Sequence, residues 1–182
     1  MKYLNLIVIL LTGNMLLAQN DSPREVTSEI LLQIQKEVEQ EIPAAKQKFS
    51  KQGLTNEELE FAIDTFRIEK ITTKRIEIDY STAGMNISVS ELTVGYDKLL
   101  NKYYNKLLKL LNKEDKKVLI KAQKAWLEYR DAENELMGTM TNDEYSGGGT
   151  IQSNIRAGSY CHLVASRTIE IFNYYNGVSK EE

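Results

Sequence analysis

The chain has 182 residues, with 23 Lys and Arg against 26 Asp and Glu, one His and one Cys. The mild acidity argues against a dedicated nucleic-acid binder, and a single His with a single Cys rules out a typical four-ligand zinc site. With only two prolines, at Pro23 and Pro43, and with abundant Lys, Glu, Leu and Ile, the composition favours helices over a strand-rich sandwich.

Met1-Lys2-Tyr3 opens the chain, an apolar stretch runs from Leu4 to Leu17, and Ala18-Gln19-Asn20 follows. A charged start, an apolar middle and a small residue before a polar turn are the three parts of a secretory signal. The stretch is interrupted by Thr12, Gly13 and Asn14 and is shorter than the about 20 apolar residues that span a bilayer. Residues 1–19 therefore read as a signal peptide cleaved after Ala18 or Gln19. The remainder, about 163 residues, is enough for one domain with its own core and is expected to be periplasmic or secreted. No cysteine stands near the cleavage point to carry a lipid anchor, and no later segment reads as a membrane span.

After a terminus at Asn20 to Arg24 expected to fray, a stripe from Glu25 onward reads Val26, Ile30, Ile34, Val38 and Ile42, which is helical spacing. Pro43 is expected to break or kink this helix, with Ala44 to Ser50 continuing it at an angle and Gln52-Gly53 ending it. Thr55-Asn56-Glu57-Glu58 has the pattern of a capping box, and a helix through Leu59, Ile63 and Phe66 follows. Its end is ambiguous. Arg75 to Tyr80 and Asn86 to Val89 alternate like strands, so a short hairpin near residues 75–89 stands as the alternative to continuous helix.

Leu92, Tyr96, Leu99, Tyr103, Leu107 and Leu110 then step by three or four, the buried face of a long helix. Asn112 to Asp115 reads as a turn and cap. A second stripe runs Val118, Ala122, Ala125, Tyr129, Ala132, Leu136 and Met140, with Trp126 beside it. The short connection predicts that these two helices pack antiparallel. Thr141 to Gly149 is a polar loop whose three consecutive glycines imply mobility or unusual backbone angles. A last helix is expected from about Thr150 to Asn176, with a stripe of Tyr160, Val164, Arg167, Ile171 and Tyr174 and Gly177 as C-cap. The tail 178–182 is expected to fray.

Candidates for chemistry are few. Cys161 and His162 are adjacent, and neighbours on a helix point about 100° apart, so the His does not activate the thiol. Cys161 reads as a buried small hydrophobe, with an intermolecular disulfide as the alternative. No metal site and no cofactor is implied. Thr141 to Glu144 lacks the ligand spacing of a calcium-binding hand, and no lysine follows Gly147-Gly148-Gly149 as a phosphate loop requires. Lys98, Lys102, Lys106, Lys109 and Lys113 share a helix face, continued by Lys117, Lys121 and Lys124. They read as a solvated face or as a contact for anionic envelope polymers. Arg167 lies on an apolar stripe, where an acid from a neighbouring helix would pair with it, and Asp131 is the expected partner.

Four blocks carry a family resemblance: Tyr96 to Tyr104, Ala122 to Glu133, Gly147 to Ile151 with Cys161, and Ser166 to Glu170. Together they resemble the lysozyme inhibitor LprI-like N-terminal domain family, over about Ser81 to Tyr175. The resemblance implies a small, exported helical protein that inhibits a lysozyme-type protein; the lack of a catalytic constellation gives the separate expectation that the chain is not an enzyme. It also implies several cysteines. Ser88 and Asn134 stand where the family commonly carries them, so the disulfide-stapled core is missing.

The expectation is an all-α protein, a small antiparallel helical bundle. Residues 20–80 form an added N-terminal helical layer, 81–177 the family-like domain and 178–182 a tail. Envelope polymers acting on a scaffold protein are the alternative partner, and the oligomeric state is left open. The expected contact surface is Glu128, Arg130, Asp131 and Glu133 with the loop Asn142, Asp143, Glu144, Tyr145, Gly147, Gly148, Gly149 and Thr150, chosen for charge, exposure and glycine content. Trp126, Tyr129, Arg167 and Cys161 are expected to be structural.

Overall fold

A computed structural model describes residues 22–179. The signal peptide expected at residues 1–19 and the tail residues 180–182 lie outside the described residues. The described residues form six helices: α1 (Ser28–Ser50), α2 (Asn56–Ile78), α3 (Thr82–Leu110), α4 (Lys113–Met140), α5 (Asp143–Ser146) and α6 (Ile151–Ser179). No strand occurs among the described residues, so the alternative of a hairpin near 75–89 does not form; the segment is helical as expected but not continuous, since α2 ends at Ile78 and α3 begins at Thr82.

Local chemistry sets the helix boundaries. Thr27 caps α1 by accepting from the Ile30 amide, three residues later than the stripe alone suggests. Pro43 lies inside α1 on an exposed position, and the helix runs through it to Ser50 instead of breaking. Gly53 then turns the chain at φ 73°, a conformation that favours glycine. The capping box forms as expected: the Thr55 hydroxyl accepts from Glu58 N, and the Glu58 carboxylate accepts from Thr55 N at 2.8 Å. Between α2 and α3, Asp79 accepts from Ser81 N at 3.2 Å while the Ser81 hydroxyl caps Gly84 N at 3.0 Å. Alternation in residues 75–89 is thus overridden by two caps placed back to back. Asn112 starts α4, its side-chain oxygen accepting from Glu114 N at 2.9 Å and Asp115 N at 3.0 Å.

The closest helix pair is not the expected one. α3 lies along α6, the two running parallel, with α2 antiparallel to α3 and α1 on the far side of α2. Small side chains permit that approach: Ser88, Cys161, Ala165 and Thr168 are all buried, and the Thr168 hydroxyl donates across to the Tyr96 carbonyl at 3.1 Å. On the other flank, a Cβ at Gly95 would come within 3.1 Å of Ile68, so α2 also sits close on α3. α4 follows α3 through a short connection but packs its backbone most closely on α6, antiparallel to it.

Two apolar clusters hold the array. One joins Leu100, Tyr103 and Leu107 of α3, Leu119 of α4, and Ile171 and Phe172 of α6. Phe61 of α2 stacks on Phe172 at 4.0 Å and meets Tyr103 edge-on at 5.3 Å. The N-terminal helices are therefore built into the core through α2, while α1 closes only against α2, burying Ile34, Val38 and Ala45. The second cluster joins Leu92, Tyr96, Cys161, Val164 and Ala165. Trp126 packs on both clusters.

The α4 stripe is not buried: Val118 is 67% exposed, Tyr129 52%, Leu136 51% and Met140 52%. α4 docks through the neighbouring row instead, with Leu119 buried and Gln123, Trp126, Arg130 and Met137 partly covered. The large indole on that row buries more apolar area than the alanines of the stripe. Tyr129 is thus not a structural core residue. In α6, Val164 and Ile171 are buried as expected, but Tyr174 is exposed. Gly177 does not end the helix, which runs on to Ser179, and Val178 packs on the first cluster instead of fraying. Finally, Lys102 and Lys106 are not on a solvated face. They reach across to α2, where both pair with Glu60 and Lys102 also pairs with Asp64.

Candidate functional site

The residues expected to make contacts lie on the second half of α4 and in the segment that follows. At 100° per residue, the run Glu128 to Glu133 cannot form one surface. Glu128 and Asp131 face solvent, Arg130 and Glu133 are partly covered. Arg130 donates to Asp131 at 2.8 Å from Nε and 2.6 Å from a terminal nitrogen, and its guanidinium lies 5.6 Å from the centre of the Trp126 ring. The Arg167 guanidinium lies 5.9 Å from the same ring.

Arg167 does not pair with Asp131. It donates to Gln123 of α4 at 3.1 Å and to Glu170 of its own helix at 3.0 Å. Two cations sharing one indole explain the arrangement. Each gains from the ring's negative face and each takes its counter-ion from a nearby residue on its own helix. Trp126 and Arg167 thus have structural places at the α4–α6 junction. Sequence reading identified both residues but not their partners, because the indole between them was the connecting element.

The glycine-rich segment is a built turn. Asp143–Ser146 forms one turn of helix, and Gly147, Gly148 and Gly149 follow at φ 78°, 81° and 96°. An L side chain is strained at each of these angles. Side chains stitch the turn to itself: Ser146 Oγ donates to the Thr141 carbonyl at 3.2 Å and accepts from Gly148 N at 3.1 Å. Gln152 of α6 donates to the Ser146 carbonyl at 3.3 Å. Asn142, Asp143, Glu144, Tyr145, Gly147, Gly149 and Thr150 are exposed, and Gly148 is partly covered. Of the two readings of the glycines, unusual backbone angles are what the fold uses.

This end of the molecule exposes Tyr145 at 58%, which was expected at the contact surface, and also apolar side chains that the sequence placed in the core or left unassigned: Leu136, Met140, Ile151 at 55% and Ile155 at 50%. Arg156 ties the two helices together there, its guanidinium lying so close to Gly138 that a Cβ on that glycine would meet it at 3.1 Å. A cation seated at the last turn of α4 also suits the negative end of that helix. Exposed aromatic, aliphatic and methionine side chains with exposed Asp143 and Glu144 in the same stretch of chain are residue types found at protein contact surfaces.

Elsewhere the titratable groups are bound up in structure. Cys161 is a free, buried thiol. Burial pushes its pKa up, and the nearby Glu69 adds to this against a hydrogen bond with Thr93, so the thiol stays protonated and unreactive. His162 next to it is exposed and lies 3.5 Å from Ser166, so the two neighbours do point apart. The Tyr96 hydroxyl donates to Glu69, whose carboxyl burial drives upward in pKa against that bond. Among the described residues no cluster of His, Cys, Asp and Glu could hold a metal ion, and no helix is long and apolar enough to cross a membrane.

No curated protein and no solved structure matched the chain. A family model described as lysozyme inhibitor LprI matches residues 77–171, a span that begins in the last turn of α2 and takes in α3, α4, α5 and α6 as far as the buried Ile171. That match covers more than half of the sequence, and the chain belongs to the LprI lysozyme inhibitor family.

Proposed function

We propose that this protein is an exported binding protein, not an enzyme, that inhibits a lysozyme-type muramidase outside the cytoplasm. The family match over residues 77–171 carries the reading. Export rests on the three-part signal pattern of residues 1–19. Contact is assigned to the end of the molecule where α4, α5 and α6 meet: Tyr145 and Met140 act as anchors, Asp143 and Glu144 form an acidic edge, and Glu128 and Asp131, farther back along α4, extend the acidity. Many lysozymes are cationic, and an acidic edge speeds encounter with such a surface. The hydrogen bonds of Ser146 and Gln152 hold the turn that the three left-handed glycines permit, which lowers the ordering cost of binding.

The test is a cell-wall turbidity assay with the chain lacking residues 1–19, run against several lysozyme classes. Expected is inhibition that is saturable and weakens with added salt. The variant Tyr145→Ala with Asp143→Asn is expected to lower affinity by about tenfold to a hundredfold with the helical content unchanged. Absence of inhibition of every class at micromolar excess overturns the reading.

A further inference from the structure

The outward row of α4 has a regularity that a solvated face does not need. Val118, Ala122, Ala125, Tyr129, Ala132 and Leu136 are all exposed, and their spacing alternates four and three, the repeat of a coiled-coil seam. A helix docked on a core normally turns its polar positions outward; α4 docks through Leu119 and Trp126 and turns an apolar seam outward as well.

The charges beside the seam are sorted. Lys117, Lys121 and Lys124 are exposed along the first half of the helix, and Glu128, Asp131 and Glu135 along the second. Read backwards, the helix therefore complements itself. In an antiparallel pair centred near Glu128, Val118 faces Leu136 of the other copy, Ala122 faces Ala132 and Ala125 faces Tyr129. The same register brings Lys121 near Glu135 and Lys124 near Asp131. A parallel pair would set lysine against lysine and acid against acid.

We propose that the exposed face of α4 is a self-association surface that pairs antiparallel with α4 of a second copy of this chain about a two-fold axis. The occupant is a second copy because the seam matches itself in both size and charge, which is what an isologous two-fold contact demands. α4 stands at an edge of the array, its backbone closest to α6. The three alanines let two helices approach closely. The seam is only about five turns long, so the contact is small and the pair weak, in the micromolar range. Glu128 meets its own copy near the axis, flanked by Lys124 on each helix, and the ion pairs weaken with salt. Pairing covers Glu128 and Asp131, so it competes with any lysozyme contact through them, while the turn at residues 142–150 lies beyond the paired stretch.

Sedimentation equilibrium on the chain lacking residues 1–19, from about 1 µM to about 500 µM, tests this. Expected is a mass that rises from one copy to two. Lys121→Glu and Glu135→Lys are each expected to weaken pairing by about tenfold or more, and the two together to restore it to within about threefold, because the double reversal recreates the cross-helix pair. Ala125→Glu places a charge in the seam and is expected to abolish pairing, with circular dichroism confirming an unchanged fold at this exposed site. A single-copy mass throughout the range overturns the proposal, including the case in which another protein covers this face. Pairing indifferent to the single reversals, or not regained by the double one, overturns it equally. The readout is mass alone, so it is independent of whether any lysozyme is inhibited.

Discussion

α3 and α4 are consecutive helices of nearly equal length with nearly equal stripes, and the fold treats them oppositely. α3 buries Leu92, Tyr96, Leu99, Tyr103 and Leu107, all at 9% exposure or less, and is covered by α2 and α6. α4 buries only Leu119 and leaves its stripe in solvent. Periodicity therefore reports that a helix has an apolar face without reporting which chain covers it. The composition of the stripes marks the difference. That of α3 is leucine and tyrosine throughout, whereas three of the seven residues in that of α4 are alanine, with little area to gain by burial. The row beside it carries Trp126.

The largest effect that would sharpen this contrast is expected at Tyr103. It is fully buried and touches Phe61, Phe172 and Tyr175. Tyr103→Ala is expected to cost about 3–5 kcal/mol in urea unfolding, the range for emptying an aromatic site in a packed core. A loss below about 1 kcal/mol would mean that the α2–α3–α6 cluster does not hold the fold.

A second difference is polar. The buried face of α3 contains one deliberate polar pair, Tyr96 donating to Glu69 of α2. Burial raises the Glu69 pKa above its ordinary 4.5, so the native state holds this proton more tightly than the unfolded chain. Stability contributed by the protonated carboxyl is then present below about pH 4.5 and lost as pH rises through the native pKa, after which the dependence flattens. Glu60 works in the opposite sense. Burial raises it, but the bonds from Lys102 and Lys106 outweigh that and lower it, so its contribution appears as pH rises. The measurement is therefore a difference: Glu69→Gln is expected to remove the falling component while keeping the hydrogen bond from Tyr96. Identical pH profiles for the two proteins would show that Glu69 ionises as freely in the fold as outside it.

The sequence was most legible where the determinants are local. The capping box at Thr55, the cap at Asn112, the turn at Gly53 and the stripe of α3 depend on side chains within four residues of one another, and all four appear in the fold. The pairing of α3 with α6 was not legible. It depends on small residues, Ser88 with Cys161, Ala165 and Thr168, that are far apart in sequence and belong to no large-residue stripe. Of the two positions where the resemblance implied cysteines, Ser88 is buried as a serine and Asn134 is partly covered on α4. For the proposed contact surface, the sequence indicated the segment from Asn142 to Thr150, which is exposed except at Ser146 and Gly148 and shaped by three left-handed glycines. It missed Leu136, Met140, Ile151 and Ile155 because exposed apolar residues at helical spacing look the same as core residues until the neighbouring helices are placed.

The smallest expected effect is the sharpest test of the α3–α4 comparison. Leu136 sits at half exposure on the exposed row of α4, about 100° round the helix from the row that docks. If that row makes no intramolecular contact, Leu136→Ser changes unfolding free energy by less than about 0.5 kcal/mol, since a substitution away from the core removes little buried area. The experiment must be done in dilute protein, where self-pairing through α4 is absent. In concentrated protein the same substitution is expected to lower apparent stability, because anything that binds only the native state adds to it by mass action. A leucine that is indifferent in dilute solution and costly in concentrated solution is a core residue of the pair, and its place in the seam is then fixed by concentration dependence. A loss of about 2 kcal/mol or more already in dilute protein would reverse the assignment and put the α4 stripe back against its own chain.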